Sequence, residues 1–256
     1  MNNWRATIGY MLPSSCLVYE HEFQLITASL PGVIGVPARL LITACDRTGL
    51  EHMNTQIDLA ARQLATCDPD LVMYMCTSGS FMKGNQGENA IRTRITGLTR
   101  RPAATTAQSV LAALHHLGLR RVVMLTPYNE DLTKAEVRWL HKNGVEVIDY
   151  LGRDIPDNLD RGRQYPETSY HIARRLRHAD ADGILLSCAN VRTIEIIEQL
   201  ERDTGKPVIS SSQATTWFAL RQCGITDVLP GFGRLFANTQ PAVAKTRGSG
   251  RKIKVP

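Results

Sequence analysis

The sequence predicts an α/β protein of two pseudosymmetric αβ lobes with parallel sheets and a ligand site in the cleft between them. Short apolar runs alternate with longer amphipathic ones, the pattern of βαβ units. A chain of 256 residues with 43% apolar content is long enough to bury one αβ core or two small ones. The segments Asp70-Leu-Val-Met-Tyr-Met-Cys76 and Asp182-Gly-Ile-Leu-Leu-Ser-Cys188 place a cysteine at the same offset from an aspartate across a strand-like run. They read as one unit used twice. Each cysteine then sits just past the carboxyl end of a buried strand, where open α/β sheets bind ligands.

Taken in order, a strand over Ala6–Leu12 opens the chain and a second follows at Ile34–Ile42. An amphipathic stretch at Leu50–Thr66 gives a helix before the strand Leu71–Met75. Helices at Glu88–Thr99 and Thr106–Leu117 precede the strand Arg121–Thr126, and Thr133–Asn143 forms a helix before the strand Glu146–Tyr150. The remainder reads as a helix at Glu167–His178, a strand at Gly183–Ser187, a helix at Thr193–Thr204, a strand at Val208–Ser210 and a helix at Gln213–Cys223.

Composition excludes several classes. No run approaches the ~20 apolar residues of a membrane span, and the amino-terminal residues lack a secretory pattern, so a soluble cytoplasmic protein is expected. Six cysteines are too sparse for a disulfide framework, and reduced thiols are the expectation. Neither CxxC nor HExxH spacing occurs, which argues against a metal site. Gly79, Gly84 and Gly87 form no GxGxxG, and GxxxxGK[ST] is absent, so NAD and ATP are not expected and no cofactor is called for. The net charge of +6 is concentrated in residues 241–256, which carry Lys245, Arg247, Arg251, Lys252 and Lys254 without an acid. The other 240 residues carry about +1, so the charge belongs to a basic tail without apolar periodicity, and neither nucleic acid nor membrane is an expected partner.

The candidate site grows from the two cysteines. After Cys76 come Thr77, Ser78, Gly79 and Ser80, small residues that leave backbone N–H groups free to converge on an anion such as a substrate carboxylate. Cys188 and Ala189 likewise lead into a helix start. A thiol lowered by N–H donors can act as nucleophile or base, while a protonated thiol across the substrate acts as acid. The Thr-Ser-Gly-Ser loop makes Cys76 the expected thiolate. Two opposed thiols suit stereochemical inversion, and equally addition to a double bond followed by rotation and elimination. Cys16 follows Pro13-Ser14-Ser15 at another strand end, whereas Cys45, Cys67 and Cys223 read as structural. Tyr128 ends a second-lobe strand and can reach the same crevice; Asn158 lies in a proline-containing loop.

Taken together, Pro13-Ser-Ser15, Cys76-Thr-Ser-Gly-Ser80, Pro102-Ala-Ala-Thr-Thr106, Thr126-Pro-Tyr128, Ser187-Cys-Ala-Asn-Val-Arg-Thr193 and Gly205-Lys-Pro-Val-Ile-Ser-Ser211 resemble the maleate cis-trans isomerase and arylmalonate decarboxylase branch of the aspartate/glutamate racemase superfamily, over about residues 6 to 228. The resemblance implies a first lobe of residues 1–102 plus 213–240, a second of 103–212 and a tail of 241–256. It implies a small carboxylate substrate and a homodimer or homotetramer. It also implies that Cys76 attacks an alkene carbon while Cys188 moves the proton, with Ser14, Ser15, Cys16, Thr77, Ser78, Tyr128, Asn158 and Ala189 at the substrate. In that family decarboxylases keep only the second cysteine, so the pair points to an isomerase, maleate to fumarate being the best match. A racemase or epimerase, including an ectoine-catabolism type of relative, is the alternative, followed by a decarboxylase and by a binding protein that lost catalysis. Two positions depart from the isomerase pattern: Cys16 and Ser212 each stand where it has asparagine.

Overall fold

The computed structural model describes residues 4–237, so the expected basic tail at 241–256 lies outside the described residues. The first sheet is parallel, with strand order β2-β1-β3-β4: β1 (Ala6–Pro13), β2 (Val33–Leu40), β3 (Leu71–Tyr74) and β4 (Ala103–Thr105). Around it lie α1 (Val18–Thr27), α2 (Arg47–Thr55), α3 (Ile57–Ala65), α4 (Thr77–Phe81) and α5 (Gly84–Thr99). The second sheet repeats the order as β6-β5-β7-β8: β5 (Arg121–Thr126), β6 (Glu146–Gly152), β7 (Gly183–Leu186) and β8 (Val208–Ser210). Its helices are α6 (Thr106–His116), α7 (Glu130–Lys142), α8 (Asn158–Gly162), α9 (Pro166–Ala173) and α10 (Ile194–Thr204). The described chain closes with α11 (Ser211–Gln222) and α12 (Arg234–Ala237). The α/β architecture of two parallel sheets matches the sequence expectation.

Both central strands are apolar throughout, Leu-Val-Met-Tyr in β3 and Gly-Ile-Leu-Leu in β7, and every one of these residues is buried. Parallel strands buried on both faces need that composition. The helices α6 and α11 pack against each other between the lobes. Each is started by a hydroxyl from the last residue of the preceding strand: Thr105 accepts the Gln108 N–H, and Ser210 accepts the Gln213 N–H in a complete capping box. Residues Ser211 to Arg221 are all buried, which explains the lack of a polar face on α11.

Three elements differ from expectation for local reasons. The single helix expected over Leu50–Thr66 is two, because Gln56 at the break turns its amide to both backbone groups of Leu41. The strand β4, three residues long, pairs with β3, so the first sheet extends past the boundary expected at residue 102. The helix α1 was not expected at all. Its cap residue Leu17 supplies no side-chain hydrogen bond, and the Leu17 and Val18 N–H groups are instead accepted by Asn190 from the second lobe. Among the described residues no helix is long and apolar enough to cross a membrane.

Candidate active site

In each sheet the chain leaves the central strand toward one edge and returns on the other side, between β1 and β3 and between β5 and β7. Such switch points open a crevice at the strand carboxyl ends. Cys16 follows β1, Cys76 follows β3, Tyr128 follows β5 and Cys188 follows β7, so all four come from the ends that form the two crevices. They line one narrow cavity, together with Thr77, Ser78, Asn158 and Ala189.

Cys76 has extended backbone (φ −146°, ψ 109°) and immediately precedes α4. Ser80 Oγ locks the turn, donating to the Cys76 and Thr77 carbonyls and accepting the Ala107 N–H at 3.1 Å. A Cβ on Gly79 would collide with the Tyr74 hydroxyl and approach Cys76 Sγ at 3.1 Å, so the loop needs glycine there. The Thr77 hydroxyl is buried in the cavity wall with no hydrogen-bond partner among the described residues. A buried polar atom left open costs stability, and a bound carboxylate would repay it.

Cys188 adopts φ +103°, a left-handed conformation strained for any residue with a Cβ. Its surroundings hold it there. The Cys188 N–H donates to Ser211 Oγ at 3.1 Å, and the Asn190 N–H reaches Cys188 Sγ at 3.4 Å. The Asn190 amide donates to the Asn158 and Ser15 carbonyls while accepting from α1. Two buried carboxyls flank the loop. Glu136 accepts from Ser187 Oγ at 2.6 Å, and Glu22, on α1, accepts the Thr193 and Ile194 N–H groups and the Ser212 hydroxyl. The serine at 212 is thus part of a cross-lobe network.

Burial disfavours the charged form of both thiols. Burial pushes Cys76 up to about 12, against the Gly79 N–H and the Ser78 hydroxyl, which favour its thiolate. Cys188 is also raised by burial, with the Arg161 guanidinium, the Asn190 N–H and the Tyr128 hydroxyl acting in the opposite direction. Desolvation thus works against the resting Cys76 thiolate that the loop's donors favour. Among the described residues a cation, Arg161, acts on Cys188.

The other expected residues divide. Ser14 and Ser15 stand beside the cavity rather than on its wall; Ser14 Oγ accepts the Ile42 N–H and Ser15 Oγ accepts the Asn158 amide, which leaves each hydroxyl its own proton to donate. Cys16 lines the cavity, its thiol facing the Ala189 carbonyl at 3.8 Å, and burial raises its pKa well above the ordinary thiol range. Cys45, expected to be structural, lies on the cavity wall because the segment after β2 folds over the cleft. All six cysteines are free, as expected. Arg161 was missed: it stands three residues after Asn158, one helical turn on, in a segment that reads as a loop but forms α8.

A family model described as arylmalonate decarboxylase matches residues 31–236. The chain belongs to that family. The arylmalonate decarboxylase of Bordetella bronchiseptica is 34% identical over 233 residues, which cover 90% of this chain and 96% of that protein. A maleate isomerase from Geobacillus stearothermophilus is 25% identical over 242 residues, covering 90% and 96%. A maleate isomerase from Pseudomonas putida, in a crystal structure with maleate, has a TM-score of 0.88 at 26% identity and covers 91% of this chain and 97% of that one. The family's two-lobed fold and the resemblance to its isomerase and decarboxylase branch agree with what the motifs implied.

Proposed function

We propose that this protein is a two-thiol isomerase of a small unsaturated dicarboxylate, converting maleate to fumarate through a thioether on Cys76. The observation that carries the reading is the presence of Cys76 and Cys188, from equivalent strand ends of two lobes, on the wall of one cavity with Tyr128 and Asn158. The likeness to several maleate isomerases supports it.

The Cys76 sulfur bonds to one alkene carbon and releases its proton to solvent water. The electron pair of the double bond moves toward the neighbouring carbon and its carboxylate, and Cys188 gives that carbon a proton. The bond between the two carbons is now single and rotates. The Cys188 thiolate takes the proton back, the double bond re-forms, the C–S bond breaks, and Cys76 recovers a proton from solvent water. Each thiol ends as it began. The Tyr128 hydroxyl, the Thr77 hydroxyl and the backbone N–H groups at the start of α4 bind the carboxylate on which charge develops, the arrangement by which fixed donors stabilise such a charge.

Opposed thiols also suit racemisation at a carbon next to a carboxylate, and this second reading predicts deuterium uptake from solvent into a saturated substrate. The deciding experiment follows maleate by NMR with wild-type protein and with Cys76→Ser and Cys188→Ser. The expected result is fumarate from wild type and a loss of at least about 10³-fold in each variant. Full turnover by either serine variant would overturn the two-thiol mechanism. No fumarate, with deuterium entering a saturated acid, would transfer the protein to the racemase reading.

A further inference from the structure

The mechanism leaves one charged group on the cavity wall without a task. Arg161 is 4% exposed, its guanidinium carbon lies 5.3 Å from the Tyr128 ring centroid, and it lines the cavity that holds Cys76 and Cys188. Its only side-chain hydrogen bond among the described residues is from Nε to the Ile155 carbonyl at 2.7 Å, and no carboxylate among them lies within ion-pair distance. Arg161 also lines an outer hollow with Asp46, Asp154 and Asp157, and forms an ion pair with none of them. Asp46 accepts the Gly49 N–H at 2.8 Å and Asp157 the Asp160 N–H at 2.9 Å, each capping a helix, and Asp154 is exposed on the same outer hollow. No other lysine or arginine lines the inner cavity among the described residues.

A buried guanidinium without an anion is costly, and proteins keep one where a ligand completes the pair. Its planar fork matches a carboxylate. The spacing adds to this: Asn158 and Arg161, one turn apart on α8, both reach the cavity, so a single short helix supplies an amide and a cation to the same guest.

We infer that Arg161 is the counter-ion for one carboxylate of the substrate, and that it makes this cleft select a dicarboxylate over the corresponding monoamide. The carboxylate at the Cys76 loop meets neutral donors, Thr77, Ser78 and backbone N–H groups, whereas the other meets a full positive charge. Cys16 supplies no amide at the wall, and Arg161 takes the place of that contact with a stronger one. The assignment rests on the carboxylate-binding reading of the cleft, but not on isomerisation.

The test uses unreactive ligands. Calorimetric binding of succinate and of its monoamide succinamate is compared for the full chain, Arg161→Met and Arg161→Lys, with thermal unfolding of each variant alongside. Wild type is expected to prefer succinate. Arg161→Met is expected to lose about 30-fold or more in succinate affinity with little change for succinamate, the effect of removing one partner of a buried charge pair, and to unfold no earlier than wild type. Arg161→Lys, which keeps charge and stem, is expected to retain the preference at lower affinity. Equal loss of both ligands in Arg161→Met, unchanged succinate binding, or a lysine variant that prefers succinamate would overturn the assignment and leave Arg161 as a prop for the Ile155 loop. Wild type that binds neither ligand would sink the carboxylate cleft itself; wild type that binds succinate yet leaves maleate unchanged would fail the isomerase reading alone.

Discussion

In the first lobe, the Asp70 carboxylate accepts the Thr7 N–H at the foot of β1, and the Met75 N–H donates to the Met11 carbonyl at its head. In the second, Asp182 accepts the Arg120 and Arg121 N–H groups at the foot of β5, and the Ser187 N–H donates to Leu125. Up to that point the two units match bond for bond, apart from the extra Arg120 N–H that Asp182 accepts. Beyond it they part. Cys76 enters a helix directly, in relaxed extended backbone, fixed by Ser80 and Gly79 of its own lobe. Cys188 turns into a strained left-handed conformation and is held by residues of both lobes, Glu22 and Asn190 among them. The lesson is that one thiol is placed by local sequence and the other by how the lobes fit together.

That contrast can be broken at Glu22. Replacement by alanine would leave the Thr193 and Ile194 N–H groups buried without an acceptor, at about 1 to 3 kcal/mol for each group, while the Ser212 hydroxyl keeps the Ser210 hydroxyl as a neighbour at 3.4 Å. Glu22→Ala is expected to lower Tm and slow the steps that need Cys188, while the rate at which Cys76 reacts with a small alkylating agent stays near that of wild type. If both cysteines respond equally, the difference in how they are held is not real.

A smaller effect sharpens the same contrast by pH. Burial raises the Glu136 carboxyl to about 7, opposed by the Ser187 hydroxyl. The folded state then holds this proton more tightly than the unfolded chain. Its contribution to stability is complete below the ordinary carboxyl range and is lost as pH rises through about 7. Glu22 is raised to about 7 as well and acts in the same direction. Thermal unfolding from about pH 5 to pH 8 should show a falling Tm, and Glu136→Gln should flatten part of the decline. An unchanged slope in that variant would mean that Glu136 does not hold a proton behind Cys188.

The sequence made the repeated elements legible because their causes are local. Apolar runs at β3 and β7, the offset from Asp to Cys, and the small residues after Cys76 all follow from neighbouring positions. The strands Arg121–Thr126 and Val208–Ser210 were read to the residue. What escaped depends on distant partners. The helix α1 is capped from the other lobe by Asn190, and Cys45 reaches the cavity only because its loop folds over the cleft. Ser14 and Ser15 carry the right hydroxyls, but the chain after β1 sets them beside the cavity, where they accept from Ile42 and Asn158. Arg161 had a readable signal, its one-turn spacing from Asn158, had Asp157 been recognised as a helix cap.

The central claim is that Cys76 forms the covalent bond and Cys188 handles the proton. It is tested most directly by incubating Cys188→Ser with maleate, quenching, and mapping the digested chain by mass spectrometry. The account predicts a maleate-derived adduct on the peptide bearing Cys76, with the exposed Cys67 unmodified as an internal control. An unmodified Cys76 in that variant, together with an adduct on Cys188 in the wild-type protein during turnover, would contradict it.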